Sequence, residues 1–224
     1  MCNLYSNTTA VEAMRQLFKV PPARDWTGNA EPLAGIFPKG IAPVVRLDQD
    51  GERELIPLSW GFRTTNKSKK TGAIISPQAW NNARDDNLHS GLWRSSFETR
   101  RCLIPVSSYC ETKGRNPATY YWFGVKGDDL RQPFACAGMW QRSRYETKEG
   151  PEDCVTFTMI TTEANDLVRP YHAKGRMPVI VEPGDFSNYL SGPESDARAS
   201  LQPYPSEKMR IVQDGIGLKS DPLP

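Results

Sequence analysis

Proline constrains the fold of this chain more than any other feature of its sequence. The 224 residues include 19 prolines, which are distributed along the chain instead of being gathered in one linker. Because proline lacks a backbone donor and breaks helix interiors, long helices do not fit between these positions. The apolar runs between the prolines are rich in β-branched and aromatic residues, which favour strands. The sequence therefore predicts many short strands joined by loops.

Local patterns place these elements along the chain. Apolar residues at helical spacing predict a first helix over residues 8–19. Two strands, 44–47 and 54–60, flank Asp50-Gly51, a dipeptide typical of hairpin turns. The remaining predictions are loops over 21–40 and 64–78, strands over 101–106, 120–125, 134–140, 155–161 and 178–181, and helices over 163–171 and 186–190. The pattern weakens after residue 192.

Strands dominate this order and do not alternate regularly with helices. The pattern predicts an α+β fold with a curved, largely antiparallel β-sheet that closes into a barrel-like core. A chain of 224 residues is long enough to bury a substantial core, as one large domain or two small ones.

Composition argues against several classes of protein. No apolar run approaches the roughly 20 residues that cross a bilayer, and the N-terminus lacks the pattern of a secretory signal. We therefore expect a protein of the cytoplasm and nucleoid, or of the nucleus in a eukaryote, with no membrane partner. The five cysteines are widely spaced without a Cys-x-x-Cys pair, and only two histidines are present. This argues against a disulfide framework and a zinc site, and no metal or other cofactor is predicted.

Basic residues form two clusters although the net charge is only +2. The clusters are Lys67, Lys69 and Lys70, and Arg94, Arg100 and Arg101. Such groups can follow a phosphate backbone, and they are equally common on a solvated surface. Charge alone leaves both interpretations open.

Cys2 is the first residue with distinctive chemistry. Initiator methionine is usually removed when the second residue is small, which would leave Cys2 with a free α-amine and a thiol. The ordinary pKa values of about 7.7–8.0 and about 8.5 leave both groups partly nucleophilic near neutral pH. The amine can condense with an aldehyde to an imine, and the thiol can then close a five-membered thiazolidine. Alternatively, Cys2 is a small buried hydrophobic residue.

Three further segments carry reactive or binding groups. Arg84 can hold phosphate through paired donors, and the nearby Asn82 amide can both donate and accept. Glu111 follows an apolar strand, where partial burial would raise its pKa and suit it to proton transfer. His172 lies between a predicted helix and strand and would titrate near pH ~6.5. A surface turn, a solvent-facing carboxyl and a structural histidine are the respective alternatives.

Taken in order, these segments resemble the SRAP (SOS response-associated peptidase) family. The resemblance covers about residues 1–190. The matching positions are 1–2, 60–61, 82–84, 101–105, Tyr109 and Glu111, 137–140, 161–165, His172 and 176–178.

The sequence also departs from the family pattern. Thr112 stands where the family usually has tryptophan, and Asp86 stands where it usually has glutamate. Residues 62–64 replace a segment that often contains proline. Two additional residues separate His172 from Arg176, a difference that bears most on His172.

The resemblance implies a curved antiparallel sheet with flanking helices, a positively charged groove and a single domain over residues 1–224. It also implies covalent capture of abasic sites in single-stranded DNA by a monomer, through a thiazolidine cross-link. In that activity Cys2 is the nucleophile after Met1 has been released, and the family name implies that the release is autoproteolytic. Glu111 and His172 would form the acid–base pair, and Asn82 would position the site.

The same resemblance supplies the expected DNA contacts. Arg84 would bind DNA phosphate, Arg94 and Arg101 are further candidates for that role, and Trp60 is assigned to the DNA-binding surface. If the thiol fails to close the ring, the imine can proceed to β-elimination, so lyase activity is expected as a side reaction. Two alternatives remain open: a peptidase or amidase that acts on proteins through Cys2, and a non-catalytic module that binds single-stranded DNA.

Overall fold

The computed structural model describes residues 2–221, which form fifteen strands and four α-helices. The strands are β1 (Tyr5–Asn7), β2 (Leu33–Ile36), β3 (Ile41–Leu47), β4 (Arg53–Trp60), β5 (Phe62–Lys67), β6 (Ile74–Trp80), β7 (Asn82–Arg84), β8 (Arg101–Val106), β9 (Ser108–Lys113), β10 (Thr119–Val125), β11 (Phe134–Thr147), β12 (Gly150–Glu163), β13 (Arg176–Pro178), β14 (Ile180–Val181) and β15 (Met209–Ile216). The helices are α1 (Val11–Phe18), α2 (Arg94–Thr99), α3 (Phe186–Ser191) and α4 (Glu194–Ala199).

Five strands close into a barrel. The pairing runs from β12 to β4, β3, β8 and β11, and β11 pairs again with β12. Neighbouring strands are antiparallel except β12 and β4, which pair in parallel at Phe157 and Trp60. The short strands β13, β14 and β7 extend this sheet. The closed ring removes free sheet edges and confirms the predicted α+β fold with a barrel-like core.

A second, fully antiparallel sheet lies beside the barrel in the order β15-β10-β9-β1-β2. Its fourth strand, β1, begins three residues after Cys2, and the central strand β9, which pairs with β1, contains Glu111. This sheet therefore brings the N-terminal segment next to a strand from the middle of the chain.

The first helix and the first hairpin confirm the predictions made from local patterns. Helix α1 ends at Lys19, whose left-handed φ of 53° and N–H bond to the Gln16 carbonyl stop the helix. Strands β3 and β4 pair around the predicted turn, where Gly51 has a φ of 81° that side chains rarely adopt. In both places, interactions between residues close in the sequence were sufficient to predict the structure.

Two predictions were wrong because strand pairing, which the local composition did not indicate, decides the structure. Residues 64–78 were expected to be a loop, but β5 and β6 pair as a hairpin that packs against β11. The segment 163–171 was expected to be a helix, but β12 extends to Glu163 and turns follow it. Pairing with β13 extends β12 to this point, and Pro170 disfavours a helix in the segment that follows. Strand β2 lies within residues 21–40, which were also expected to be a loop, and it forms by pairing with β1. Helix α4 and strand β15 lie after residue 192, where the sequence pattern weakens.

Candidate active site

The pairing of β1 with β9 brings Cys2 close to Glu111. Tyr5 lies opposite Tyr109 in this antiparallel pair, and the Cys110 N–H donates to the Leu4 carbonyl at 2.9 Å. Continuing the same register toward the N-terminus places Asn3 opposite Glu111, and Cys2, the next residue, lies close enough that the Glu111 carboxyl raises the pKa of its thiol. Two residues 109 positions apart in the sequence thus meet because of strand register.

Two asparagine amides hold the main chain of Cys2. The Asn82 Nδ2 atom donates to the Cys2 carbonyl at 2.6 Å, and the Asn81 Nδ2 atom donates to the same oxygen at 3.1 Å. Asn81 also donates to the Asn3 side-chain oxygen at 2.9 Å. Strand β7 presents Asn82 by pairing in parallel with β12. The sequence singled out Asn82 and missed Asn81, whose position next to it was the one available signal.

The Cys2 side chain is buried with only 1% of the residue exposed. Its thiol donates to the Leu4 carbonyl at a sulfur–oxygen distance of 3.4 Å. Burial, and secondarily the nearby Glu111 carboxyl, raise the pKa of the Cys2 thiol well above its usual range. The sulfur is therefore held as a thiol. This is the burial that the alternative interpretation of Cys2 expected, but Glu111, which can transfer a proton, lies beside it.

Glu111 is a buried carboxyl that keeps its proton near neutral pH. Burial raises its pKa from the ordinary 4.5 to about 8. Within residues 2–221, its Oε1 atom is buried and has no hydrogen-bond partner, and the same is true of Asn82 Oδ1. Both oxygens can therefore accept a hydrogen bond from an incoming group. The protonated carboxyl can in addition donate a proton.

His172 is fixed as a neutral hydrogen-bond donor. Its Nδ1 atom accepts main-chain N–H bonds from Lys174 at 3.0 Å and from Arg176 at 3.1 Å. A nitrogen that accepts two such bonds cannot carry a proton, so the neutral ring has its proton on Nε2. Burial lowers the pKa of His172 to about 4. The sequence suggested a group titrating near pH ~6.5, and the main-chain donors together with burial explain the difference.

His172 and Glu111 are close but do not form an ion pair at neutral pH. The Nε2 atom of His172 lies 3.7 Å from the Oε2 atom of Glu111. A histidine with a pKa of about 4 and a glutamate with a pKa of about 8 are both uncharged at pH 7. The additional residues before Arg176 have not separated the two side chains. The pair offers one N–H donor and one carboxylic acid.

A charged cleft of about 440 Å³ lies next to this group. Strand β7 carries Asn82 and ends at Arg84, whose exposed guanidinium lies at the cleft and pairs with Asp86. Arg176 is tied to Asp85 by a bond of 2.6 Å, which leaves it less free to meet a ligand. The lining residues are Arg84, Asp86, Glu163, Arg169, Lys174, Gly175 and Arg176.

Two residues assigned to DNA binding from the sequence are instead part of the protein interior. Trp60 is fully buried, packs edge-on against Tyr5 and donates through Nε1 to the Asn81 carbonyl at 2.8 Å. Arg101 is 6% exposed and donates to the carbonyls of Tyr189 and Phe97. Neither side chain can reach a ligand in this conformation, so their predicted DNA contacts are not carried further. Trp60 supports the site indirectly because it holds Asn81.

Arg94 lies on the surface, with 69% of its side chain exposed, and pairs with Glu98 at 2.8 Å. It belongs to α2 and is not among the residues that line the cleft. Its binding of DNA stays a prediction.

Neither a metal-binding cluster nor a membrane-spanning helix is present in the part of the chain that the structure describes. Residues 2–221 contain no group of three or more His, Cys, Asp or Glu side chains placed to hold a metal ion. Within the same residues, no helix has the length and apolar character needed to span a membrane.

Comparisons with known proteins place this arrangement in one family. The family model described as "SOS response associated peptidase (SRAP)" matches residues 1–214. The abasic site processing protein YoqW of Bacillus subtilis is 32% identical over 136 residues, which is 59% of this chain and 58% of that protein. The abasic site processing protein YobE of the same organism is 29% identical over 182 residues, covering 77% and 78% of the two chains. The match to YoqW spans just over half the length of that protein.

A solved structure shares the whole fold. The crystal structure of a protein from Bordetella bronchiseptica superimposes with a TM-score of 0.72 at 26% identity, covering 96% of this chain and 99% of that one. Because the family model spans nearly all of the sequence, the chain belongs to the SOS response-associated peptidase (SRAP) family.

Proposed function

We propose that this protein captures abasic sites in single-stranded DNA covalently, through Cys2 as the N-terminal residue after Met1 has been released. The observation that carries the proposal is the fixed position of Cys2: its carbonyl is held by Asn82, and its side chain lies beside the protonated Glu111. The relatives YoqW and YobE are named for abasic site processing, which supports the same substrate.

The first chemical step is imine formation. The α-amine of Cys2 adds to the aldehyde carbon of the ring-opened sugar to give a carbinolamine. Glu111 donates its proton to the departing hydroxyl, water leaves, and the Glu111 carboxylate takes back a proton from the nitrogen, which gives the neutral imine. General acid catalysis of this kind typically contributes about 10²–10⁴-fold. The neutral His172 supplies an N–H donor to a sugar oxygen instead of a proton.

The second step closes the ring. The Cys2 sulfur adds to the imine carbon, and the thiol proton passes to the imine nitrogen, which gives a thiazolidine without an external oxidant or reductant. The buried thiol suits this order because it reacts only after the aldehyde carbon has been brought next to it. If the sulfur is absent, the imine can instead undergo β-elimination and break the DNA strand.

Two further activities belong to the proposal. We infer that Cys2 and Glu111 also hydrolyse the peptide bond that releases Met1, since the α-amine is unavailable until that bond is broken. We also propose that a single chain acts as a monomer within one domain, in the compartment that contains the DNA. The relatives' names support DNA as the substrate of the capture reaction.

Binding of the strand is assigned to the cleft beside the site. The exposed Arg84 faces that cleft, two residues from Asn82, and can hold a backbone phosphate next to the abasic nucleotide. Each phosphate contact should contribute a slope of roughly −0.7 to the plot of log affinity against log salt.

A cross-linking assay tests the proposal. The protein is incubated with a single-stranded oligonucleotide that carries one abasic site, and the products are separated on a denaturing gel. We expect a shifted band with wild type and with Cys102→Ala, a matched control for loss of a buried cysteine. Cys2→Ala, prepared with Met1 already removed so that the α-amine of residue 2 is free, should give no stable adduct, but strand cleavage and a borohydride-trapped imine. Mass spectrometry of the intact wild-type protein should show the loss of Met1.

The same assay separates the alternatives. A band that persists in Cys2→Ala without borohydride would refute capture by the thiol. Turnover of peptide substrates without any DNA adduct would favour a peptidase of proteins. Binding of the oligonucleotide with no adduct in any variant would favour a non-catalytic binding module.

A further inference from the structure

Asp221 is a charged residue that is fully buried on the sheet containing β1 and β9. Its Oδ2 atom accepts bonds from Arg131 Nε at 2.6 Å, from Ser108 Oγ at 2.8 Å and from Ser6 Oγ at 3.4 Å. Its main-chain N–H donates to the Ala34 carbonyl at 2.7 Å. A buried carboxylate is stable when it is paired and hydrogen-bonded, and Asp221 meets both conditions through Oδ2, whereas its buried Oδ1 atom has no hydrogen-bond partner within residues 2–221.

The residues that precede Asp221 follow the same sheet. The Trp122 indole N–H donates to the Leu218 carbonyl at 3.0 Å, and Trp122 packs in a small cluster with Leu4 and Cys110. We call residues 217–221 the C-terminal strap. The SRAP family model ends its match at residue 214, so the strap lies outside the part of the chain that the family describes.

The strap bonds to the two strands that set the geometry of the site. Ser6 of β1 and Ser108 of β9 are direct partners in the antiparallel pair, and their hydroxyls lie 2.8 Å apart. Cys2 lies four residues before Ser6, and Glu111 lies three residues after Ser108. Because β1 and β9 are antiparallel, both residues lie toward the same end of the pair. The Oδ2 atom of Asp221 therefore holds Ser6 and Ser108 opposite each other. Their register determines how far Cys2 lies from Glu111.

We propose that Asp221 is a positioning residue that holds β1 on β9 and so keeps Cys2 beside Glu111. This inference rests on the proposed function for its chemical consequence. Removing the carboxylate takes the acceptor from the Arg131 guanidinium and from the pair of buried Ser6 and Ser108 hydroxyls, which keep only the bond between them, and this favours local opening of β1. Opening separates the amine and thiol of Cys2 from the proton donor without dismantling the barrel.

Cysteine alkylation tests the positioning role without DNA. Native Asp221→Ala, Asp221→Asn and wild type are treated with a maleimide, and the modification of each cysteine is followed by peptide mass spectrometry. We expect Cys2 to react on the order of 10-fold faster in Asp221→Ala, because a buried group reacts only through local opening. Asp221→Asn keeps a hydrogen-bonding side chain, so its Cys2 should react at a rate between those of wild type and Asp221→Ala. The matched control Asp214→Ala removes an exposed acid from β15 and should match wild type.

The buried Cys102 and Cys136 of the barrel serve as internal references in the same sample. Selective acceleration of Cys2, together with Cys110 beneath the strap, supports the inference. An unchanged Cys2 rate overturns it. Equal acceleration of all four cysteines also overturns it, since that pattern reports general destabilisation.

Product partition tests the chemical consequence. Because ring closure needs the sulfur at the imine carbon, Asp221→Ala should capture an abasic oligonucleotide several-fold more slowly. It should also raise the ratio of borohydride-trapped imine to stable thiazolidine. A slower rate with an unchanged ratio would show that Asp221 does not position the thiol. If wild type itself forms no adduct, the proposed function fails and this chemical role fails with it, whereas the alkylation result still decides whether Asp221 holds β1.

Discussion

Replacing Glu111 with glutamine should stabilise the protein, and the gain should grow with pH. The wild-type carboxyl is buried and has a pKa of about 8 in the folded protein, against an ordinary value of 4.5. Between these two values the unfolded chain releases a proton that the folded protein retains. Stability is therefore fully present below about pH 4.5 and is lost as the pH rises through about 8. Glutamine has nearly the same shape and no proton to release.

The size of the effect follows from these two pKa values. At about 1.36 kcal/mol for each unit between pH and the unfolded pKa, the penalty in wild type is about 1 kcal/mol at pH 5. It rises to about 3 kcal/mol at pH 7 and about 5 kcal/mol at pH 8.5, where it levels off. Glu111→Gln removes this pH-dependent part. Any constant cost of burying the amide adds equally at every pH.

Urea unfolding of both proteins at pH 5, 7 and 8.5 measures the difference directly. We expect the free energy of unfolding of Glu111→Gln, relative to wild type, to increase by about 4 kcal/mol between pH 5 and 8.5. Glu207→Gln, which changes an exposed glutamate near the C-terminus, is the matched control and should show no such trend. A difference that stays flat or shrinks with pH would refute the assignment of Glu111 as a buried, protonated acid.

Four further predictions concern the reaction and the binding of DNA. The rate of capture by wild type should fall as the pH rises above about 8, where Glu111 ionises, and Glu111→Gln should be slow without this alkaline decline. No inflection from His172 should occur between about pH 5 and 7, because its pKa is about 4, and an inflection there that disappears in His172→Gln would contradict the donor role. Asn82→Ala frees the Cys2 carbonyl and should slow capture on the order of 10-fold with little change in DNA affinity, as measured by single-turnover gels and by titration. Arg84→Ala should reduce the salt slope of DNA affinity by roughly 0.7, whereas Arg101→Ala should lower the melting temperature and leave that slope unchanged.

Sequence patterns were most informative where the causes are local. The Asp50-Gly51 turn and the first helix depend on neighbouring residues, and both lie where they were expected. The hairpin of β5 and β6 packs against the distant strand β11, and β12 is extended by its pairing with β13, and local composition revealed neither contact. The parallel pairing of β4 with β12 that helps close the barrel is the strongest example, because the paired residues Trp60 and Phe157 lie 97 positions apart in the sequence.

The candidate site shows the same division. The family motifs selected Cys2, Asn82, Glu111 and His172, and strand register brings them to one place. The sequence predicted the raised pKa of Glu111, which the structure confirms, but it did not reveal the neutral state of His172. The neutral state of His172 follows from main-chain donors and burial, which depend on the path of the folded chain.

The main-chain donors to His172 also determine which sequence changes its surroundings can tolerate. The imidazole proton is directed to Nε2 by the amide groups of residues 174 and 176, and nineteen of the twenty amino acids carry such an amide. The longer segment between His172 and Arg176 thus contributes a donor through Lys174, and its side chains can diverge while the tautomer is kept. Proline is the exception. A proline at position 174 or 176 would remove one of the two main-chain donors to Nδ1, and prolines at both positions would remove the pair that directs the proton to Nε2.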